Sequence, residues 1–390
     1  AAGLDGVVGV VAARAGGPQA GCGDVEPGSA RGRDGGLYLV PRLVAEGNDS
    51  RTGRGRVRFD QGGKPAGVER LGLALQPDEA WEQNPVTAGV EDPRITFVES
   101  LGVYVMAYAA YGPLGPRIGL AVSHDLATWE RLGPVSFVYD PALRTDLNLY
   151  PNKDAMFFPE PVPGPDGKPA YAMLHRPMWD LSWISPKAGR PLPAGVTDPR
   201  QSIWVSFAPA DEVMSDVHAL TRLGQHRQVA QPQQPWEMTK IGGGTPPIRV
   251  PEGWLIVYHG VTARMDAHPG PQDPVRYVAG AMVLDPQDVS RVLSRSQFPL
   301  LEPETSEERE GTVPNVVFPT AIDAHDGGEA DVYYGMADFR IGVARLRRVT
   351  CRRPVDVIHE AAPTNPANHL KHTPTARANQ ATRKWGASGV

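Results

Sequence analysis

Apolar positions along the chain fall in short alternating runs, and long amphipathic helical stretches are absent. Leu37-Tyr38-Leu39-Val40, Tyr104-Val105-Met106-Ala107-Tyr108, Tyr171-Ala172-Met173-Leu174-His175, Trp254-Leu255-Ile256-Val257-Tyr258 and Val332-Tyr333-Tyr334 combine aromatic and aliphatic residues between glycines and prolines. Such runs read as strands. A second strand follows most of them: Arg117 to Ala121, Ile203 to Ser206, Val278 to Ala281 and Ile341 to Ala344. A proline-bearing element precedes each copy, at Pro27, Asp92-Pro93, Pro159, Pro246-Pro247, and Pro314 with Pro319. The first three anchors (27, 93, 159) are 66 residues apart, and insertions stretch the later spacing. Five copies of a small meander that cannot bury a face alone predict radial packing, an all-β, five-bladed β-propeller. A β-sandwich with chance self-similarity is the competing reading. The expected boundaries are an N-terminal extension over residues 1–24, the propeller over 25–355 and a loosely ordered C-terminal tail over 356–390.

Composition narrows the function. Lys plus Arg number 39 and Asp plus Glu 44, a formal charge of −5, so the basic excess of a nucleic-acid or acidic-membrane binder is missing. With 41% hydrophobic residues the chain can bury a sizeable core. Its 43 Gly and 40 Pro favour a fold with many turns. Cys22 and Cys351 lie far apart, so neither a disulfide framework nor a metal knuckle is expected, and reduced cytoplasmic thiols are the plain reading. No apolar run approaches the roughly 18 residues of a membrane helix. The opening AAGLDGVVGVVAARAGG lacks a basic stretch ahead of its apolar residues and reads as a poor signal peptide.

In a propeller, polar groups at the inner-strand entrances converge on one channel mouth. Asp92 precedes Pro93, whose ring is expected to hold it extended, and a carboxylate fixed at a strand entrance can point into the channel. An Asx-turn carboxylate capping its own backbone is the ordinary alternative. Cations recur at the same level: Lys153 opens the third copy, Arg176 ends its aromatic strand, and Lys240 stands before Gly242-Gly243-Gly244. Lysine beside glycines lets the backbone approach an anion, and a guanidinium fork suits phosphate or carboxylate. The glycine run lacks the spacing of a nucleotide phosphate loop. Singly, each cation would be an ordinary surface charge, His259 a core histidine and Asp338 a turn carboxylate. No His/Cys/Asp cluster has metal-ligand spacing, and no dinucleotide fingerprint occurs, so neither metal nor organic cofactor is expected.

Seven segments then occur in a telling order: Asp92 to Thr96, Asn152 to Glu160, Met173 to Pro177, Ile241 to Pro247, Gly253 to Gly260, Val313 to Pro319, and Tyr333 to Asp338. Over about residues 25–350 the chain resembles the β-mannoside phosphorylases of glycoside hydrolase family 130, a five-bladed propeller family. The resemblance implies inverting phosphorolysis of a β-mannoside, of β-1,4-mannooligosaccharide or mannosyl-glucose type. The products would be α-mannose 1-phosphate and a shortened acceptor, with inorganic phosphate as co-substrate. Asp92 would be the proton donor, acting through a sugar hydroxyl. Lys153, Arg176, Lys240 and His259 would bind phosphate, and Arg42, Arg94, Asp154, Tyr277 and Asp338 would surround the sugar. The implied partners are a small carbohydrate and phosphate, with no nucleic acid and no membrane; a homo-oligomer is left open. A phosphorolytic site needs no second carboxylate as base, because phosphate is the nucleophile and cations must hold it. One departure stands out: Glu26 occupies a position where the family has Asn, adding a carboxyl beside the sugar.

Two other functions fit parts of the pattern. An inverting mannosidase would pair Asp92 as acid with Glu160 or Asp154 as base, the two carboxyl groups roughly 6.5–9.5 Å apart around a water. A non-catalytic carbohydrate-binding propeller would use Trp81, Trp179 and Trp254 as stacking platforms.

Overall fold

The computed structural model describes residues 4–10, 23–45, 49–84, 88–181, 192–262 and 275–348. Cys22, Cys351 and the expected tail lie outside them. The described residues form five antiparallel blades around one axis. The first runs from Gly23–Arg31 through Leu37–Val44 and Asp49–Phe59 to Pro65–Leu75. The second comprises Ala88–Val98, Val103–Gly112, Gly115–Ser123 and Glu130–Pro134. Asn152–Phe157, Pro169–Pro177, Ile203–Pro209 and Arg222–Ala230 make the third. The fourth is built of Lys240–Gly243, Gly253–Thr262, Arg276–Leu284 and Val292–Arg295. In the fifth, Val317–Ala324, Glu329–Met336 and Arg340–Arg348 are completed by Leu4–Val10, which pairs antiparallel with Arg340–Arg348. That strand falls within the segment expected to precede the propeller, and it joins the two ends of the ring in one sheet. Helix is confined to short pieces such as Ala210–Ser215 and Ser306–Arg309. Among the described residues, no helix is long and apolar enough to cross a membrane.

The alternating runs occupy the second strand of each blade, and both of their faces are buried. Tyr104, Met106 and Tyr108 pack toward the first blade, whereas Val103, Val105 and Ala107 of the same strand pack toward the third. Ile256 and Tyr258 likewise face the third blade while Val257 faces the fifth. Side chains on a strand alternate between faces, so a strand sandwiched between two neighbours must be apolar at nearly every position. The consequence is five separate hydrophobic clusters, one at each blade interface.

Three interfaces repeat a second device. Buried Glu82, Glu237 and Glu308 each end a capping box and accept a hydrogen bond from the hydroxyl of Tyr108, Tyr258 or Tyr334, at 2.7, 2.6 and 2.8 Å. Arg131 and Arg295 complete the first two clusters. A carboxylate that receives backbone N–H, phenol and guanidinium donors together is satisfied without water, and so ties a loop to the blade it crosses.

Three of the innermost strands, those of the first, second and third blades, are broken in the same way. Pairing skips Glu26-Pro27, Asp92-Pro93 and Asp154-Ala155. Glu26, Asp92 and Asp154 all have left-handed backbone, with φ of 46°, 50° and 57°. The expectation of an extended Asp92 is therefore wrong. A bulge in a left-handed conformation breaks the two-residue alternation, so successive side chains turn toward the axis. The bulges also correct the repeat: Pro27 and Pro93 are equivalent, but their counterpart in the third blade is Ala155, not Pro159.

Candidate active site

These bulges gather a buried charge cluster at the channel. Glu91 and Asp92, consecutive on the second blade, both turn to the axis beside Glu26 of the first. Arg42, on the strand paired with Gly23–Arg31, bridges all three. Its Nη1 lies 3.1 Å from Glu26 Oε2 and 3.7 Å from Asp92 Oδ1, and its Nη2 lies 2.8 Å from Glu91 Oε1. Its Nε donates to Ser50 Oγ at 2.9 Å. From the third blade, Lys153 Nζ approaches Asp92 Oδ2 at 3.1 Å and Glu91 Oε2 at 3.6 Å. Asp338, on the turn after Glu329–Met336, has left-handed backbone and lies within hydrogen-bonding reach of Glu26.

Charge and burial separate the protonation states of this group. Burial pushes the Asp92 carboxyl up, but Lys153, Arg42 and a hydrogen bond from Glu26 outweigh it and hold Asp92 well below the carboxylate range. Glu26 moves the other way. Burial, and then the negative neighbours Asp92 and Asp338, raise it well above its ordinary value, and Arg42 offsets only part. Lys153 loses some preference for its proton to burial and regains more from Asp92, Glu91 and Asp154, so its ammonium is held above the lysine range.

A second group adjoins the first through Asp154, the residue after Lys153. Arg176 Nε donates to Asp154 Oδ2, and its Nη1 donates to Gln201 Oε1. Gln201 is bridged to Lys240, and Gln201 O accepts the Ile241 N–H at 3.1 Å. His259 Nε2 is 3.6 Å from Asp154 Oδ2, and the His259 ring packs on Phe318 at 4.6 Å and Tyr277 at 5.9 Å. Lys240 Nζ sits 5.3 Å over the Tyr277 ring and makes no ion pair among the described residues. Burial pushes the His259 imidazole down to about 3; Asp154 opposes this, and Arg176, Lys240 and Arg94 reinforce it. The ring is neutral, fully buried, and without a hydrogen-bond partner at either nitrogen among the described residues. Buried polar atoms are normally satisfied, so an imidazole with neither nitrogen bonded is an exception that calls for an explanation. Gly242 makes the close approach possible, since a Cβ there would stand 2.1 Å from Asp154 Oδ2 and 2.4 Å from His259 Cε1.

Nearly all the expected residues thus meet at one locus, in two sets. Asp92, Lys153, Arg42 and Asp338 lie together, and Arg176, Lys240, His259, Asp154 and Tyr277 form the adjoining set. Lys153, expected with the phosphate cations, pairs with Asp92 and Glu91. Arg94 is buried at 1% exposure and donates to the carbonyls of Asp92, Gly243 and Gly244, at 2.9, 3.2 and 2.9 Å, which clamps the second blade to the fourth. Five carboxyls reach the site: the three bulges supply Glu26, Asp92 and Asp154, Glu91 precedes the second bulge, and Asp338 comes from a turn of the fifth blade. Glu91 and Gln201 were not anticipated. The signal for Glu91 was available, a second carboxylate immediately before the Asp-Pro pair. Gln201 carries no sequence signal.

The competing readings lose their residues. Burial raises the Asp154 carboxyl, but Arg176, His259 and Arg94 hold it well below the usual range, and a base needs the opposite. Glu160 is exposed. Trp179 and Trp254 are buried at 1% exposure, and Trp81 stacks on Tyr108 at 6.1 Å, so these rings pack the blades.

A family model described as beta-1,4-mannooligosaccharide phosphorylase matches residues 67–353. A 1,2-beta-oligomannan phosphorylase of Thermoanaerobacter sp. (strain X514) is 32% identical over 80% of this chain and 86% of its own. A beta-1,4-mannooligosaccharide phosphorylase of Ruminococcus albus is 30% identical over 65% of this chain and 61% of its own. The solved structure of a beta-1,2-mannobiose phosphorylase from Listeria innocua, in complex with beta-1,2-mannobiose, shares the fold. Its TM-score is 0.60 at 23% identity, with 83% of this chain and 89% of that one covered. With the family model spanning most of the propeller, the chain belongs to glycoside hydrolase family 130.

Proposed function

We propose that the enzyme performs inverting phosphorolysis with the two charge groups on opposite sides of the mannosyl ring. Phosphate binds against Arg176, Lys240 and His259, and Asp92 delivers a proton toward the glycosidic oxygen. A phosphate oxygen forms the bond to the anomeric carbon while the bond to the acceptor oxygen breaks. That oxygen keeps the electron pair and takes the proton, leaving α-mannose 1-phosphate and a shortened acceptor. Arg176 is braced by Asp154 and Gln201, so its planar fork is oriented before phosphate arrives, and pre-orientation lowers the cost of reaching the attacking geometry. The neutral His259 can donate one ring N–H to a phosphate oxygen without adding a buried charge. These cations meet the dianion's charge, so the reaction needs neither metal nor organic cofactor.

The observation that carries this reading is the fully buried His259, with no hydrogen bond at either nitrogen, beside the Asp154 that holds Arg176 and the Tyr277 ring that carries Lys240. Relatives named for β-1,2 and for β-1,4 linkages match this chain at similar identity, so the acceptor panel must include both alongside mannosyl-glucose. Each substrate is incubated in EDTA with and without inorganic phosphate, and products are separated by thin-layer chromatography. Mannose 1-phosphate is expected only with phosphate, at a rate EDTA does not change. Free mannose forming equally fast without phosphate would overturn the reading in favour of a hydrolase.

A further inference from the structure

The acid role of Asp92 meets a difficulty in the substrate-free site. A proton donor must carry a proton, yet Asp92 faces Lys153 at 3.1 Å and Arg42 at 3.7 Å, both of which favour its ionised form. The reaction nevertheless needs a proton at this place. Glu26 is the neighbour able to hold it. It is buried, has left-handed backbone ahead of Pro27, and shares Arg42 Nη1 with Asp92 Oδ1. Asp92 Oδ1 is itself buried and has no hydrogen-bond donor among the described residues unless a carboxyl proton lies between the two acids. Arg42 and Lys153 bring two positive charges to Glu26, Glu91, Asp92 and the adjacent Asp338, and like charges this close do not all ionise.

We propose that Glu26 and Asp92 share a single proton and that Glu26 carries it between turnovers, acting through Asp92 on the sugar. The inference rests on the phosphorolytic reading and adds to it a residue outside the family's pattern at this position. When substrate binds, the Glu26 O–H proton passes to the Asp92 carboxylate, and Asp92 releases it toward the glycosidic oxygen. Phosphate enters as the monohydrogen dianion, so the ester first formed still carries that hydrogen. The ester gives up that hydrogen to water as it leaves, and water restores a proton to the carboxyl pair, so no further reactant is required. The groups facing Glu26 are Asp92 from the second blade, Asp338 from the fifth and Arg42 from the first, with Lys153 of the third reaching it through Asp92. Burial and the two carboxylates favour a retained proton, and Arg42 opposes it. The alkaline limb of the rate profile therefore belongs to the loss of the shared proton.

Glu26→Gln keeps the shape and a hydrogen-bond donor but removes the proton store. In the pH profile of kcat/KM, the alkaline limb should move down by about one unit or more, with kcat at neutral pH reduced about tenfold and the phosphate KM little changed. Infrared difference spectroscopy of the substrate-free enzyme at neutral pH should show a protonated-carboxyl stretch that is absent from Glu26→Gln. Superimposable pH profiles, or a carboxyl band that persists in the variant, would overturn the proposal. Should the variant fold poorly, the band is titrated in the unmodified enzyme, where it should vanish along the alkaline limb. Its disappearance below neutral pH would refute the shared proton. The infrared measurement uses neither phosphate nor mannoside, so it can fail or succeed independently of the phosphorolytic reading.

Discussion

Gly242→Ala tests the anion site through space alone. Gly242 pairs with His259 across the inner edge of the fourth blade. An added methyl carbon would lie 2.1 Å from Asp154 Oδ2, 2.4 Å from His259 Cε1 and 2.6 Å from His259 Nε2, where ordinary contact begins at 3.4 Å. The carboxylate would have to retreat by more than about 1 Å and the imidazole by about 1 Å. Neither has slack: Asp154 is bonded to Arg176, and the His259 ring is wedged against Phe318 at 4.6 Å. Moving Asp154 releases Arg176 from its orientation, and misplacing a positioning group by about 1 Å costs on the order of 10²-fold in rate. The expected outcome is a fall of about 10²-fold in kcat/KM for phosphate, with mannoside affinity in the absence of phosphate nearly unchanged. Initial rates of mannose 1-phosphate release across phosphate concentrations measure the first quantity, and calorimetric titration with mannobiose measures the second. A variant with wild-type phosphate dependence would refute the placement of phosphate beside Asp154 and His259.

Two further outcomes follow from the same geometry. Asp92→Asn should lower kcat by about 10²–10⁴-fold while phosphate binding by calorimetry stays close to wild type, since the amide keeps the shape and loses the acid; near wild-type turnover would remove Asp92 from that role. Glu237→Ala, far from the chemistry, should destabilise the fold by about 3–5 kcal/mol in urea denaturation, because it leaves the Arg295 guanidinium, 8% exposed, without its carboxylate and the buried Tyr258 hydroxyl without its acceptor. A loss below about 1 kcal/mol would show that these groups find water or other partners.

The local pattern of the chain was sufficient for the architecture. A strand covered on both faces must be apolar at nearly every position, and this requirement is written into Tyr104 to Tyr108 and Trp254 to Tyr258 without reference to anything distant. Five such runs separated by Gly and Pro leave radial stacking as the way to cover them all. The order of the motifs around Asp92, Arg176 and His259 likewise pointed to residues that the fold brings to one locus. What they do to one another was not legible there. Pro93 suggested an extended Asp92, because a proline's local preference is all that neighbouring residues reveal; the bulge and its left-handed backbone exist because the surrounding blades hold them. Lys153 looked like one more phosphate cation until the second blade brought Asp92 and Glu91 within 3.1 and 3.6 Å of it. Arg94 looked like a substrate contact, yet its donors close on Gly243 and Gly244 of the fourth blade, about 150 positions away. Protonation states are the extreme case. Whether Glu26 or Asp92 holds a proton depends on Arg42, Lys153 and Asp338, which come from three different blades, and Coulomb energy in a buried site is set by distances of a few ångströms that only the closed ring of blades establishes.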